Sequence, residues 1–191
     1  VERPERVEGL EATLAEGAPR RLGGDGLWSQ PGVFSWDRLD PGSALLMAHL
    51  PALAGRGADF GCGIGWLAQK VLAEPKVTEL ALIDVDRRAV ECARRNVDDP
   101  RVSFAWADVR QAGLTDLDFV VSNPPFHEAG AEDKGLGQAF IRAAGEALRK
   151  GGVLWLVANR HLPYEAELTA AFKRVRPVAD QGGYKVYEAV R

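Results

Sequence analysis

Cysteine and histidine are nearly absent from this chain. Its 191 residues hold two cysteines and three histidines, and Cys62 and Cys92 show no metal-ligand spacing. A structural zinc site has nothing to build on, no metal is expected, and reduced thiols in a cytoplasm are the expected state. Long hydrophobic runs are missing too. No stretch approaches the roughly 20 apolar residues that span a bilayer, and no n-region, h-region and cleavage site open the chain. Positive charge is not in excess: with 24 Lys+Arg against 27 Asp+Glu and a net charge of −3, the chain does not coat nucleic acid nonspecifically. Any nucleic-acid contact must come from a local basic patch or another domain. Arg20-Arg21, Arg87-Arg88, Arg94-Arg95 and Lys173-Arg174-Val175-Arg176 are the candidates, and each reads first as a solvated helix face or turn. Asparagine occurs only at 96, 123 and 159. An initiator methionine is lacking as well; the chain opens on Val1, so a segment of something longer is expected.

What is present is an ordinary globular composition, 46% hydrophobic and 27% charged, in a length that fits one domain with a real core. Val7, Leu10, Leu14 and Ala18 recur at helical spacing, bounded by Gly17. A glycine-rich stretch, Leu22 to Gly26, leads to Leu27-Trp28 and Val33-Phe34, which predict a hairpin around Pro31-Gly32. Asp40-Pro41 reads as the N-cap and first position of a helix to about Leu50, ended by Pro51. Strand and helix do not yet alternate here. Residues 1–50 are therefore read as a helix-and-hairpin extension packed on the main fold, residues 51–191.

From Arg56 onward they do alternate. Ala58-Asp59-Phe60, Glu79–Ile83, Val102–Trp106, Leu117–Val121 and Val153–Ala158 predict strands, the last buried on both faces. Helices are predicted from Trp66 to Ala73, after an Asp86 cap with Ala89, Val90, Ala93 and Val97 inward, and from Tyr164 to Val175. Leu136, Ala139, Phe140, Ala143, Ala147 and Leu148 give a further apolar stripe, capped by Asp133 and stopped by Gly151-Gly152. A strand pair around Val178 and Tyr184–Val190 closes the chain. The fold class this predicts is α/β, a doubly wound, mostly parallel seven-stranded sheet whose terminal hairpin replaces the last crossover.

Two places carry chemistry. In an open α/β sheet ligands bind at the C-terminal mouths of the strands. The first βα turn reads Asp59-Phe60-Gly61-Cys62-Gly63-Ile64-Gly65, where glycines permit a sharp turn and close approach of a ligand to backbone amides. Its third glycine falls too early for a dinucleotide fingerprint and suits a nucleoside with an amino-acid tail. The next strand ends at Asp84, placed to accept from a ribose diol, with Asp86 the better helix cap. Asp108 after the third strand is either an acceptor for an adenine amino group or a loop aspartate facing water. The second place is Asn123-Pro124-Pro125-Phe126, directly after the fourth strand. Prolines end the strand and hold an amide and an aromatic ring at its mouth, a setting for a planar, amine-bearing group. An ordinary Asn-Pro turn is the plain alternative. Taken in chain order, these strand ends describe a class I S-adenosylmethionine-dependent methyltransferase.

Pro31-Gly32-Val33-Phe34-Ser35, Leu39-Asp40 with Gly42-Ser43, Asp59 to Gly63, Asn123-Pro124-Pro125-Phe126-His127, Ala158-Asn159 with Leu162-Pro163-Tyr164, and Lys185-Val186-Tyr187 carry a resemblance. From about Leu22 to its end the chain resembles the bacterial small-subunit ribosomal RNA guanine-N2 methyltransferases, in particular their C-terminal, catalytic half. The resemblance implies S-adenosyl-L-methionine as cofactor, held by Phe34, Asp59, Gly61, Gly63, Asp84, Asp108 and Asn123. Asn123, Pro124 and Phe126 would receive the guanine, with Phe126 stacked on the base. It also implies ribosomal RNA or the small ribosomal subunit as partner, and an N-terminal methyltransferase-like half of the same polypeptide. Ala58, Trp66 and Arg160-His161 depart from the family pattern. The rival expectations are a protein-glutamine or adenine-N6 methyltransferase of the same design, a non-catalytic RNA-binding module, and a nicotinamide-dependent reductase. No general base is assigned.

Overall fold

The computed structural model describes residues 9–23, 26–125, 127–128, 131–132 and 134–191. In chain order the elements are α1 (Leu10–Glu16), β1 (Arg20–Arg21), β2 (Trp28–Ser29), α2 (Pro41–His49), β3 (Gly55–Phe60), α3 (Trp66–Leu72), β4 (Val77–Asp84), α4 (Arg87–Asn96) and β5 (Val102–Trp106). There follow a short 3-10 turn (Val109–Gln111), β6 (Leu117–Ser122), β7 (His127–Glu128), β8 (Ala131–Glu132), α5 (Lys134–Ala147), β9 (Leu148–Asn159), α6 (Glu165–Ala171), β10 (Arg174–Gln181) and β11 (Tyr184–Val190).

Seven strands form one sheet in the order β10-β11-β9-β6-β3-β4-β5. Only β11 in this sheet runs against the others, because the Gly182-Gly183 turn folds the end of the chain back as a hairpin. The doubly wound, mostly parallel architecture is the one the alternation predicts. Period two divides each apolar run between two cores. Val120 and Leu156 face α5 and α6, while Phe119, Val121, Trp155 and Val157 face α2 and α3. Gly57 is required by this packing, since a Cβ there would lie 2.1 Å from the Phe119 ring.

Several boundaries differ from expectation. The hairpin is β1 with β2, and the glycine-rich stretch is its loop: Leu22 N–H donates to Leu27 O (2.9 Å) and Gly26 N–H to Leu22 O (2.8 Å). Pro31-Gly32 is a turn, and Val33-Phe34 is not a strand. Helix α5 ends at Ala147, before the glycines, because Leu148 already pairs with Leu117 in the sheet. Helix α6 stops at Ala171 and Val175 joins β10. The Val7 position and the Asp133 cap lie outside the described residues, and Leu10 and Leu14 of α1 are exposed.

Candidate active site

After Phe60 the chain leaves β3 through Gly61, Gly63 and Gly65 at φ +75°, +53° and +95°, the left-handed region that side chains resist. The turn is stapled from three sides. Gly61 and Cys62 N–H both donate to Ile83 O (2.9 and 3.0 Å), Gly63 N–H donates to Asp84 Oδ2 (2.9 Å), and Asn96 Nδ2 donates to Ile64 O (2.8 Å). A Cβ on Gly63 would meet nothing within 4 Å among the described residues, so that carbon faces open space.

The open space is a cleft of about 230 Å³. Phe34, Gly61, Gly63, Asp84, Asn123 and Pro124 all line it, together with Val85, Val109, Pro125 and Phe140. Six of the residues selected from sequence are thus brought together at the mouths of β3, β4 and β6. A smaller recess shares Phe34, Gly61, Gly63 and Asn123 and adds Asp40 and Ser43. Another hollow, about 450 Å³, lies at the opposite strand ends beside Leu53 and Trp155; there Asp118 and Arg149 neutralise each other at 2.6 Å, and none of the residues selected from sequence lines it.

Three expectations need amending. Asp84 is not free: Oδ1 accepts Asp86 N–H and Oδ2 accepts Gly63 N–H, each at 2.9 Å, which leaves one lone pair per oxygen for a ligand. Burial nonetheless outweighs these bonds and raises its pKa. Asp59 does not line the cleft. It lies fully buried behind the turn, neither oxygen has a hydrogen-bond partner among the described residues, and burial with the nearby Asp84 pushes its carboxyl well above the usual range. Asp108 does not line the cleft and is already engaged. It caps the 3-10 turn through Arg110 N–H (2.9 Å) and binds the Arg110 guanidinium, which holds its pKa low. Phe126 lies outside the described residues.

The orientation of Asn123 escaped the sequence reading. Its Nδ2 donates to Asp40 Oδ2 (2.8 Å) and Ser43 Oγ (2.9 Å), across about 80 residues of chain. Asp40 Oδ2 also accepts the Ser43 N–H (2.8 Å) as the cap of α2, so it faces Asn123 as an acceptor and the amide must turn its NH₂ that way. Its carbonyl oxygen is what the amide has left for the cleft. Gly42 makes room for this contact: a Cβ there would lie 2.8 Å from the Tyr184 ring and 2.9 Å from Asp40. Asp40 and Ser43 were legible as a helix cap, but nothing in their spacing announced the second duty. Phe140 was legible only as a core residue.

The Methyltransferase small domain family matches residues 25–188. The chain is 36% identical over 160 residues to the Ribosomal RNA small subunit methyltransferase C of Shewanella sediminis, covering 82% of this chain and 46% of that protein. With its namesake from Pseudomonas entomophila it shares 37% identity over 166 residues, 85% of this chain and 50% of that protein. The T. thermophilus 16S rRNA N2 G1207 methyltransferase, solved in complex with AdoMet and guanosine, superposes with a TM-score of 0.74 at 28% identity over 91% of this chain and 50% of the other. The chain spans about half the length of these relatives.

Proposed function

The chain belongs to the Methyltransferase small domain family, and from that premise we propose that it transfers a methyl group from S-adenosylmethionine to the exocyclic N2 of a guanine in small-subunit ribosomal RNA. One observation carries the reading. The Asn123 amide spends its two N–H bonds on Asp40 and Ser43 and keeps its oxygen for the cleft that Gly61, Gly63 and Asp84 also line.

The residues fit the cofactor. Asp59 is a buried carboxyl beneath the glycine turn without a hydrogen-bond partner among the described residues, a group that a bound ammonium would satisfy. Gly61 and Gly63 leave room for the amino-acid end, and Asp84 has lone pairs for a ribose diol. When bound, S-adenosylmethionine supplies an electrophilic methyl on a sulfonium whose leaving group is a neutral thioether.

The protein then has to present an amine whose lone pair is delocalised into a purine ring. The Asn123 oxygen would accept one N–H and the Pro124 carbonyl the other, which aims the nitrogen lone pair at the methyl. Phe34 at the cleft mouth and Phe140 on its wall give apolar surface that excludes water. Phe126 keeps its proposed place against the base face. The guanine must be unpaired or extruded to enter. Ribosomal RNA is the partner on this reading, with a cytoplasmic location and a companion N-terminal methyltransferase-like half as parts of the same proposal. The division at residue 50 also belongs to it, amended in that the extension supplies Phe34, Asp40 and Ser43.

Tritiated-methyl transfer to RNA from an unmodified source, followed by nucleoside analysis, tests the proposal. N2-methylguanosine is expected. Label recovered in N6-methyladenosine or in protein would overturn the guanine assignment.

A further inference from the structure

Arginine is used in two ways on this molecule. Over most of the surface it is neutralised by a carboxylate: Arg56 by Glu79, Arg142 by Glu167, Arg149 by Asp118, Arg160 by Asp180, Arg176 by Glu188. On one face it lies over aromatic rings instead. Arg21 and Arg95 both cover Trp28, at 5.3 and 4.9 Å from the ring centroid; Arg20 covers Trp36 at 5.6 Å, Arg94 covers Phe104 at 4.8 Å, and Arg87 covers Trp106 at 5.9 Å. Such contacts occur roughly once per 70–80 residues. Here all five found among the described residues share the face made by the β1–β2 hairpin, α4 and the edge strand β5.

A ring orients a guanidinium without cancelling its charge. None of Arg20, Arg21, Arg87, Arg94 and Arg95 makes an ion pair among the described residues, and α4 itself carries a single carboxylate, Glu91. Two arginine pairs, Arg20-Arg21 and Arg94-Arg95, together with Arg87 thus converge into one cationic field on a protein of net charge −3, beside Arg88, which Asp86 neutralises at 2.7 Å. The field runs up to the cleft at two points. Arg88 Nη2 donates to Gly32 O (3.1 Å) in the loop that presents Phe34, and Trp106 Nε1 donates to Val85 O (2.9 Å), a cleft residue.

We propose that this arginine–aromatic face is the docking surface for the RNA strand whose guanine enters the cleft, with phosphates on the guanidinium groups. The inference rests on the RNA methyltransferase reading above and adds where the substrate lies. Phosphate binding releases counterions, so each contact has a measurable signature in salt dependence.

The test is binding of a synthetic RNA hairpin with unpaired loop guanines across a series of salt concentrations. Replacing Arg21, Arg94 and Arg95 by Gln together should weaken affinity roughly tenfold to a hundredfold and lower the slope of log K against log salt by about 2. Calorimetric affinity for S-adenosylmethionine and the melting temperature report whether the fold is intact. Lysine at the same three positions keeps the charge without the planar stack and should restore most of the slope, and Arg176→Gln on the far edge should leave it unchanged. An unchanged slope in the glutamine variant, with a wild type that binds RNA, overturns the surface alone and leaves the methyltransferase reading standing. A wild type that neither binds nor methylates RNA overturns both.

Discussion

Asp59 and Asp118 lie at opposite ends of two neighbouring parallel strands, and the molecule treats them in opposite ways. Asp118, at the start of β6, accepts the Arg56 backbone N–H (2.7 Å) and the Arg149 guanidinium (2.6 Å), which hold its pKa below the usual range. Asp59, near the end of β3, has no partner among the described residues, and burial drives its pKa up. The first arrangement stabilises the fold. The second costs stability, and such a cost is retained where a ligand relieves it. The lower ends of the strands are finished structure, and the upper ends are where the proposed cofactor would give Asp59 a partner.

Variants can break that contrast, beginning with the largest effect. Asn123→Ala removes the oxygen that faces the cleft and should reduce methyl transfer to RNA by roughly a thousandfold, with cofactor affinity by calorimetry little changed. Near-full turnover would end the assigned role. Asp84→Ala should weaken S-adenosylmethionine binding by roughly ten- to a hundredfold, since it removes the proposed ligand acceptor and a staple of the Gly63 amide together. Asp40→Asn separates two duties of one side chain. Asparagine caps a helix as well as aspartate does, so α2 should hold, but an amide can face Asn123 with either end. Turnover should fall by about tenfold at unchanged cofactor affinity, while an unchanged turnover would make the contact purely structural.

The smallest effect is on stability and depends on pH. Because the Asp59 pKa is raised by folding, the folded state keeps a proton that the unfolded chain releases. Its contribution is therefore fully present at low pH and is lost as pH rises past the unfolded value, near 3.9. Asp59→Asn removes that loss. Melting curves without ligand should show the variant gaining on the wild type from pH 4 upward, by at most about 1.4 kcal/mol per pH unit. Asp118→Asn should do the reverse. The low pKa of Asp118 stabilises above the unfolded value and is lost as pH falls through the folded one, so this variant should be weaker by about 1 kcal/mol at pH 7 and level with wild type in acid.

Much of this was legible in the sequence, for identifiable reasons. Apolar runs bounded by Asp86, the glycine turn and Pro124-Pro125 located the strands, because breakers act locally. The cleft was legible for the same reason, since parallel strands deliver their C-terminal residues to one mouth. What stayed hidden depended on partners that spacing alone does not announce, near or far in sequence. Arg110 takes the Asp108 carboxylate, Leu117 draws Leu148 out of a helix into a strand, and the pairing of Arg20-Arg21 with Trp28-Ser29 places the hairpin one turn earlier than Pro31-Gly32 suggested. Most telling is Asp40, whose cap role was visible three residues away while its hold on Asn123 lay about 80 residues away.

Asn96 joins these two parts of the protein. One carboxamide accepts the Trp28 N–H (2.6 Å) and donates to both Trp28 O and Ile64 O (2.8 Å each). The arginine–aromatic face and the glycine turn that lines the cleft are therefore buttoned by this stud, set in an apolar cluster of Val33, Ile64, Ala89 and Cys92. Loosening it would unfasten both at once, and a defect in one would be read, from the outside, as a defect in the other.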